Sequence, residues 1–188
     1  MKTQSVLFQI ALAAVLCVSA SAAPAVSPRE AWKQIIQNRL ALYGHRNWIV
    51  VADSAYPSQS AEGIETIVSD AGQIEVLDYV LKALAGSRHV IPTIYTDQEL
   101  RFLTDKDAPG ISGYRDQLFA MLQDRRANAL LHEQLIGKLD SVSKGFRVLI
   151  IKTNIALPYT SVFLQLDCSY WPPEAEGRLR ARMMQHTK

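Results

Sequence analysis

The hydrophobic positions of the chain alternate between helical and strand-like patterns. In three segments the apolar residues recur at helical spacing, whereas other apolar runs are continuous, as in strands buried on both faces. Alternating helices and strands predict an α/β fold, specifically a three-layer α/β/α sandwich around a mixed, mostly parallel sheet. The predicted helices cover 32–43, 74–84 and 114–139, and the predicted strands 48–52, 64–68, 89–95, 146–151 and 162–166.

Local signals refine one of these strands and predict two further helices. Pro92 lies within the strand predicted at 89–95 and favours an edge position or a bulge, since proline cannot donate to the sheet. The run 96–99, Thr-Asp-Gln-Glu, has the pattern of a capping box before a short helix. The charged tail, 173–188, begins at the second proline of Pro172-Pro173 and is expected to form a loose surface helix.

The N-terminus has the pattern of a secretory signal peptide. One lysine, Lys2, precedes an apolar run over 6–18, and small residues ending in Ala22-Ala23 follow. The alternative, a retained membrane anchor, is disfavoured because a spanning helix needs about 20 apolar residues. We therefore expect a signal peptide over 1–23, a single domain over 24–172 and a periplasmic or secreted location.

The charge of the chain argues against a nucleic-acid- or membrane-binding protein, and its cysteine content argues against an internal disulfide. The 188-residue chain has 20 Lys and Arg against 18 Asp and Glu, and loss of Lys2 with the signal would leave 19 against 18. With a net charge so close to zero, the sequence gives no indication of binding to nucleic acid or to a membrane surface. Cys17 lies inside the predicted signal, so Cys168 would be the single cysteine of the mature chain and no internal disulfide is expected.

The most informative stretch surrounds the first strand, where His45 precedes the apolar run and Asp53 ends it. Ligands of α/β sheets collect at the carboxyl ends of strands, which makes Asp53 a candidate site residue. Eight residues of strand span about 26 Å, so His45 reaches Asp53 only if the chain folds back or across a subunit boundary. As alternatives, Asp53 could be a capping residue and His45 could bond the preceding helix C-terminus.

These residues resemble the signature of the D-ribose pyranase / L-fucose mutarotase family. The match consists of Gly44-His45, then Ala52-Asp53, then Pro57. A second family signature, a Thr-Gly-Glu-x-x-Pro-Tyr-Ala-Asn run before an aliphatic strand, is similar to 153–161 here. Thr153, Pro158 and Tyr159 match, while Asn154 and Ile155 replace Gly and Glu, and Ser161 replaces the final Asn.

The resemblance implies reversible opening of a monosaccharide ring, such as that of ribose or fucose, with no metal or organic cofactor. It implies that His45 is an acid/base, that Asp53 orients the histidine or the sugar, and that Tyr159 donates to a sugar oxygen. Ser161 would make a shortened form of the asparagine contact. A ring-shaped homo-oligomer with sites at subunit boundaries is also implied.

His132 is a further candidate substrate-binding residue. The run 132–135, His-Glu-Gln-Leu, is similar to a family run that carries a histidine on a late helix, although it lies about five residues farther from Tyr159. Alternatively, His132 is a surface or capping residue. His89, at a strand start, and His186, in the tail, are expected to be structural and solvated, and their spacing does not predict a metal site.

Three functions therefore remain open. The chain could be an exported sugar isomerase, a non-catalytic sugar-binding protein of the same fold, or an oligomeric scaffold. The enzyme and the binding protein differ in whether His45 and Asp53 face one another across a pocket, and the scaffold predicts no pocket there.

Overall fold

A computed structural model describes residues 30–186 of the chain. The predicted signal peptide, 1–23, lies outside the described residues. The helices are α1 (Ala31–Leu40), α2 (Gln73–Ala85), α3 (Ile111–Leu122), α4 (His132–Val142) and α5 (Pro173–His186), with a short 3₁₀ turn at Gln98–Arg101. The strands are β1 (Trp48–Ala52), β2 (Ile64–Val68), β3 (Val90–Asp97), β4 (Ala127–Leu130), β5 (Val148–Lys152) and β6 (Val162–Cys168).

The strands form one mixed sheet in the order β2-β5-β1-β6-β3-β4. Strand β6 runs antiparallel to both of its neighbours, β1 and β3, and the other paired neighbours are parallel. The predicted mixed, mostly parallel sheet is therefore confirmed. Because β6 alone is reversed, its amino end lies at the same edge as the carboxyl ends of the other described strands.

Two apolar cores enclose the sheet and complete the predicted three layers. One core joins one face of the sheet to α1, α2 and α3, with fully buried Ile36, Leu77 and Leu118 from these helices. The other joins the opposite face to α4 through Leu135 and Leu139. Strand β1 is buried along its whole length, as its continuous apolar run predicts.

The prediction of a single helix over 114–139 is wrong. Two helices, α3 and α4, occupy this region, and the short strand β4 lies between them and pairs in parallel with the end of β3. The helical pattern has a gap here, since Gln123 to Arg126 supplies no apolar residue for the core. The chain reverses at this polar segment and extends the sheet by one strand.

The predictions for Pro92 and for the C-terminal tail can also be compared with the structure. Pro92 lies in β3, two residues before Ile94, where the pairing of β3 with β4 begins. At Pro92 the strand therefore pairs with β6 on one side only, so that proline has the local environment of an edge strand. The charged tail forms α5, an exposed helix as expected. Among residues 30–186, no helix has the length and apolar character needed to cross a membrane.

Candidate functional site

Polar side chains from four strands meet at one edge of the sheet, which we call the carboxyl edge. Asp53 follows β1, Asp97 is the last residue of β3, and His132 follows β4 at the first position of α4. Ser161 immediately precedes the reversed strand β6 and so reaches the same edge. This is the position at which open α/β sheets bind their ligands.

Asp53 and Ser161 are directly bonded although 108 residues separate them in sequence. The Ser161 hydroxyl donates to Oδ2 of Asp53 at 3.2 Å, and the backbone N–H of Ala55 donates to Oδ1 at 2.8 Å. Asp53 is half-buried, whereas Ser161 is buried. The Ala55 bond is the Asx-turn expected of a capping aspartate, so Asp53 caps its loop and also holds a residue of the second signature.

A histidine–aspartate pair forms the most buried part of the edge. Nδ1 of His132 lies 3.0 Å from Oδ1 of Asp97, whose side chain is fully buried. The other carboxylate oxygen, Oδ2, is buried without a hydrogen-bond partner among the described residues. The backbone N–H of His132 donates to the Glu99 carboxylate at 3.0 Å, which fixes the start of α4.

Burial raises the pKa of Asp97 to about 6, because the surrounding protein disfavours the charged carboxylate. The hydrogen bond and the positive charge available on His132 oppose this increase, while the negative charges of Glu99 and Asp53 add to it. Burial also raises the pKa of Tyr56, and the nearby carboxylates of Asp97 and Asp53 raise it further. Asp53, Asp97 and His132 therefore share one electrostatic environment.

Tyr159 adjoins this pair. Its ring meets the His132 ring edge-on, with 5.6 Å between centroids and an interplanar angle of 87°. The Tyr159 backbone has a φ of 56°, in the left-handed region that a tyrosine seldom adopts. Its side chain is 38% exposed, so the phenol is accessible from solvent.

A buried amide holds the 153–161 loop against β1. The Gln73 side chain donates from Nε2 to the carbonyl oxygens of Val51, at 2.9 Å, and Thr160, at 2.8 Å. Its own oxygen accepts from the Thr153 hydroxyl at 2.6 Å. Because a buried amide with these bonds has one preferred position, Gln73 fixes both ends of the loop that carries Tyr159.

His45 lies away from this cluster, at the opposite edge of the sheet, which we call the amino edge. It is exposed and precedes β1, while Asp53 follows it, and five strand residues span about 16 Å. The chain does not fold back, because Arg46 N–H donates to Leu166 at the far end of β6. Within one chain, the structure does not bring His45 to Asp53.

His89 also lies at the amino edge, and its predicted structural role is confirmed. Its Nε2 is 3.2 Å from the Leu40 carbonyl oxygen and 3.0 Å from that of Tyr43, just beyond α1, and Nδ1 is 3.0 Å from the Ser87 hydroxyl. The bond to the helix C-terminus that was considered for His45 is thus made by His89.

The structure therefore joins Asp53, Ser161, Tyr159 and His132, and it adds Asp97. A short 3₁₀ turn begins within the run 96–99 as expected, but the predicted capping box is wrong. Thr96 is a buried residue of β3, and the Glu99 carboxylate accepts from the backbone N–H of His132. Asp97 ends β3, and its carboxylate binds His132. An aspartate ending a strand, as Asp53 does, was the signal that could have identified it. Within residues 30–186, no cluster of three or more metal-binding side chains occurs.

Comparison with solved structures identifies the fold. RbsD from Bacillus subtilis, complexed with D-ribose, has a TM-score of 0.50 and 18% identity, over 70% of this chain and 89% of that one. The fucose mutarotase from Streptococcus pneumoniae, in complex with L-fucose, has a TM-score of 0.45 and 22% identity, over 68% and 87% of the two chains. FucU from Bifidobacterium longum has a TM-score of 0.47 and 17% identity, over 70% and 92%.

The RbsD match shows that this chain has the RbsD fold, and the predicted resemblance is confirmed at that level. No protein-family model and no curated protein matches the sequence. At these identities the similarity concerns the fold alone, so the activity must be argued from the residues of the carboxyl edge.

Proposed function

We propose that the protein is a sugar ring-opening isomerase that acts on a free monosaccharide outside the cytoplasm. The observation that carries the proposal is the grouping of His132 with Asp53 and Tyr159 at the carboxyl edge of a sheet with the RbsD fold. The sugars in the structures of two fold neighbours, ribose and fucose, suggest the class of substrate.

Ring opening requires only proton transfer. A base removes the proton of the anomeric hydroxyl, the bond between the anomeric carbon and the ring oxygen breaks, and an acid protonates the departing oxygen. The former hydroxyl oxygen becomes the carbonyl of the open chain. Closure onto the same or a different hydroxyl reverses these steps and gives the other anomer or ring size.

The chain supplies suitable groups for each step. His132 is the acid/base, because imidazole gains and loses a proton near neutral pH and Nε2 has no partner among the described residues. Tyr159, exposed beside it, donates to a sugar oxygen. Asp53 accepts a sugar hydroxyl, and Ser161 fixes the orientation of that carboxylate.

Oligomerisation would give His45 a role that it cannot have within one chain. We propose that the protein forms a homo-oligomer in which His45 of one copy approaches the carboxyl edge of the next. In support, His45 and Arg46 form an exposed turn at the amino edge. A head-to-tail contact between opposite edges closes into a ring when its rotation permits.

Export is proposed on the sequence pattern of 1–23 alone. N-terminal sequencing of mature protein should find a start at or near Ala23. A soluble cytoplasmic pool that retains Met1 would contradict export without affecting the chemistry.

Saturation-transfer NMR on equilibrated ribose, fucose and galactose tests the activity. The purified protein, with no added metal or cofactor, should accelerate exchange between ring forms of at least one sugar. Binding without acceleration would indicate a sugar-binding module, and neither binding nor acceleration would favour a scaffold.

A further inference from the structure

Asp97 is the least solvated carboxyl group of the carboxyl edge, and neither family signature includes it. Its side chain is fully buried, although it ends a strand whose following residue is exposed. A buried carboxylate costs free energy unless it is bonded, yet this one bonds through a single oxygen. Such an arrangement disfavours stability, which suggests that it is kept for another reason.

Its single bond selects one nitrogen of the His132 ring. When Asp97 is ionised it can only accept, so Nδ1 must carry the proton. Neutral imidazole holds one proton, and Nε2 is then left with a lone pair. Because the ring is 36% exposed and touches Tyr159, this nitrogen is available to a ligand at the edge.

We infer that Asp97 is a positioning residue that holds His132 in the Nδ1–H tautomer, so that Nε2 is the base in sugar ring opening. The catalytic part of this inference rests on the proposed function. The tautomer itself does not, since it follows from the buried pair alone.

The groups around Asp97 set the pH range in which it acts. His132 faces it from α4, Glu99 from the 3₁₀ turn and Asp53 from the loop after β1, and the phenols of Tyr56 and Tyr114 interact with it electrostatically. Since burial raises the Asp97 pKa to about 6, the carboxylate is ionised above that pH and protonated below it. Positioning should therefore weaken as the pH falls through 6.

The experiment is ¹⁵N NMR of the His132 ring at pH 7.5, where long-range couplings distinguish the two neutral tautomers. We expect the Nδ1–H form in the wild type. Asp97→Asn should increase the Nε2–H form, because the amide N–H can donate to Nδ1. Glu99→Gln is the matched control, since Glu99 contacts the backbone N–H of His132 but not its ring, and it should leave the tautomer unchanged.

Sugar exchange provides the second measurement. Loss of the correct tautomer should reduce the exchange rate of Asp97→Asn by about 10²–10⁴-fold at pH 7.5. If the wild type holds the Nε2–H tautomer, the inference is overturned, whatever its activity and whether or not the variant folds. If the tautomer is as expected but no sugar exchanges, the proposed function fails and the positioning of the ring stands.

Discussion

Each edge of the sheet holds a bonded histidine, and the two differ in what their nitrogens do. His89, at the amino edge, uses both ring nitrogens to bind two carbonyl oxygens and a hydroxyl. His132, at the carboxyl edge, binds a buried carboxylate through one nitrogen and retains the other. A histidine whose two ring nitrogens both bind neutral groups has a structural role. A histidine that binds a carboxylate through one nitrogen keeps the other nitrogen for proton transfer.

Replacing each histidine in turn with alanine gives the sharpest test of this difference. His132→Ala should reduce the sugar-exchange rate by about 10²–10⁴-fold, the usual contribution of a positioned acid/base. His89→Ala should leave the rate within about twofold, but lower the free energy of unfolding by about 1 kcal/mol, since it removes bonds to two carbonyl groups. NMR exchange and urea unfolding of both variants measure these effects. Equal loss of activity in the two would contradict the comparison.

Asp97→Asn should separate stability from function at the carboxyl edge. The Asp97 pKa is raised from 3.8 to about 6, so the folded state holds this proton more tightly than the unfolded state does. The resulting stability is present below pH 3.8 and is lost as the pH rises through 6. Asparagine does not titrate. The variant should therefore gain about 2 kcal/mol relative to wild type between pH 4 and 7.

Urea unfolding at pH 4, 5, 6 and 7 checks this dependence. A stability difference between the two proteins that stays constant over this range would show that Asp97 is not protonated in the folded state at pH 4–5. Asp53→Asn is a suitable control for the loss of one carboxylate from the same edge.

Two tyrosines extend the comparison to smaller effects. Tyr159→Phe should slow exchange by about 5- to 100-fold, because one hydrogen bond to the sugar is lost. Tyr170→Phe is the matched change at the amino edge, where this side chain is 73% exposed just after β6, and it should have no effect. Both variants are measured by saturation transfer. A similar rate for the two would remove Tyr159 from the proposed chemistry.

The smallest expected change is a partial recovery of activity in mixed oligomers, which tests whether the two edges meet between subunits. His45→Ala and His132→Ala should each be inactive alone, but co-refolded mixtures should recover about a quarter of the wild-type rate if each site takes one histidine from each copy. Light scattering should show an oligomer for both. Failure to recover activity from mixed oligomers would exclude a shared site.

The sequence predicts best the elements that are both apolar and regular. Strand β1 is buried at every position, and its apolar run identifies it without ambiguity. Strand β4 could not be predicted in the same way, because Ala127–Leu130 contains two alanines and an asparagine and is only partly buried. Its extended form depends on pairing with β3, a tertiary contact that local periodicity does not contain.

The site shows the same limit. Ser161 and Tyr159 were predicted because the resemblance singles them out, and Asp53 also because it ends a strand. In the structure, Asp53 and Ser161 are bonded and Tyr159 lies beside His132. Asp97 was predicted only as a middle residue of a capping-box pattern, since Thr-Asp-Gln-Glu fits a helix start as well as it fits a strand end. Only the sheet order, which puts β3 beside β4, shows that its carboxylate meets His132.

The position of β1 in the sheet also determines when the protein can fold. Its two neighbours, β5 and β6, lie about 100 residues later in the chain, as in the pairing of Trp48 with Val148. At a synthesis rate of about 5–20 residues per second, this strand waits about 5–20 s for its first partner. Contacts of such long range also form slowly once the chain is complete.

During that interval the most apolar strand of the sheet has no neighbour on either side. Strand β1 is thus open to aggregation in the nascent chain until β5 and β6 have been made. Its pairing with β6 also brings Asp53 to Ser161, so the carboxyl edge is assembled only once the sheet closes around β1.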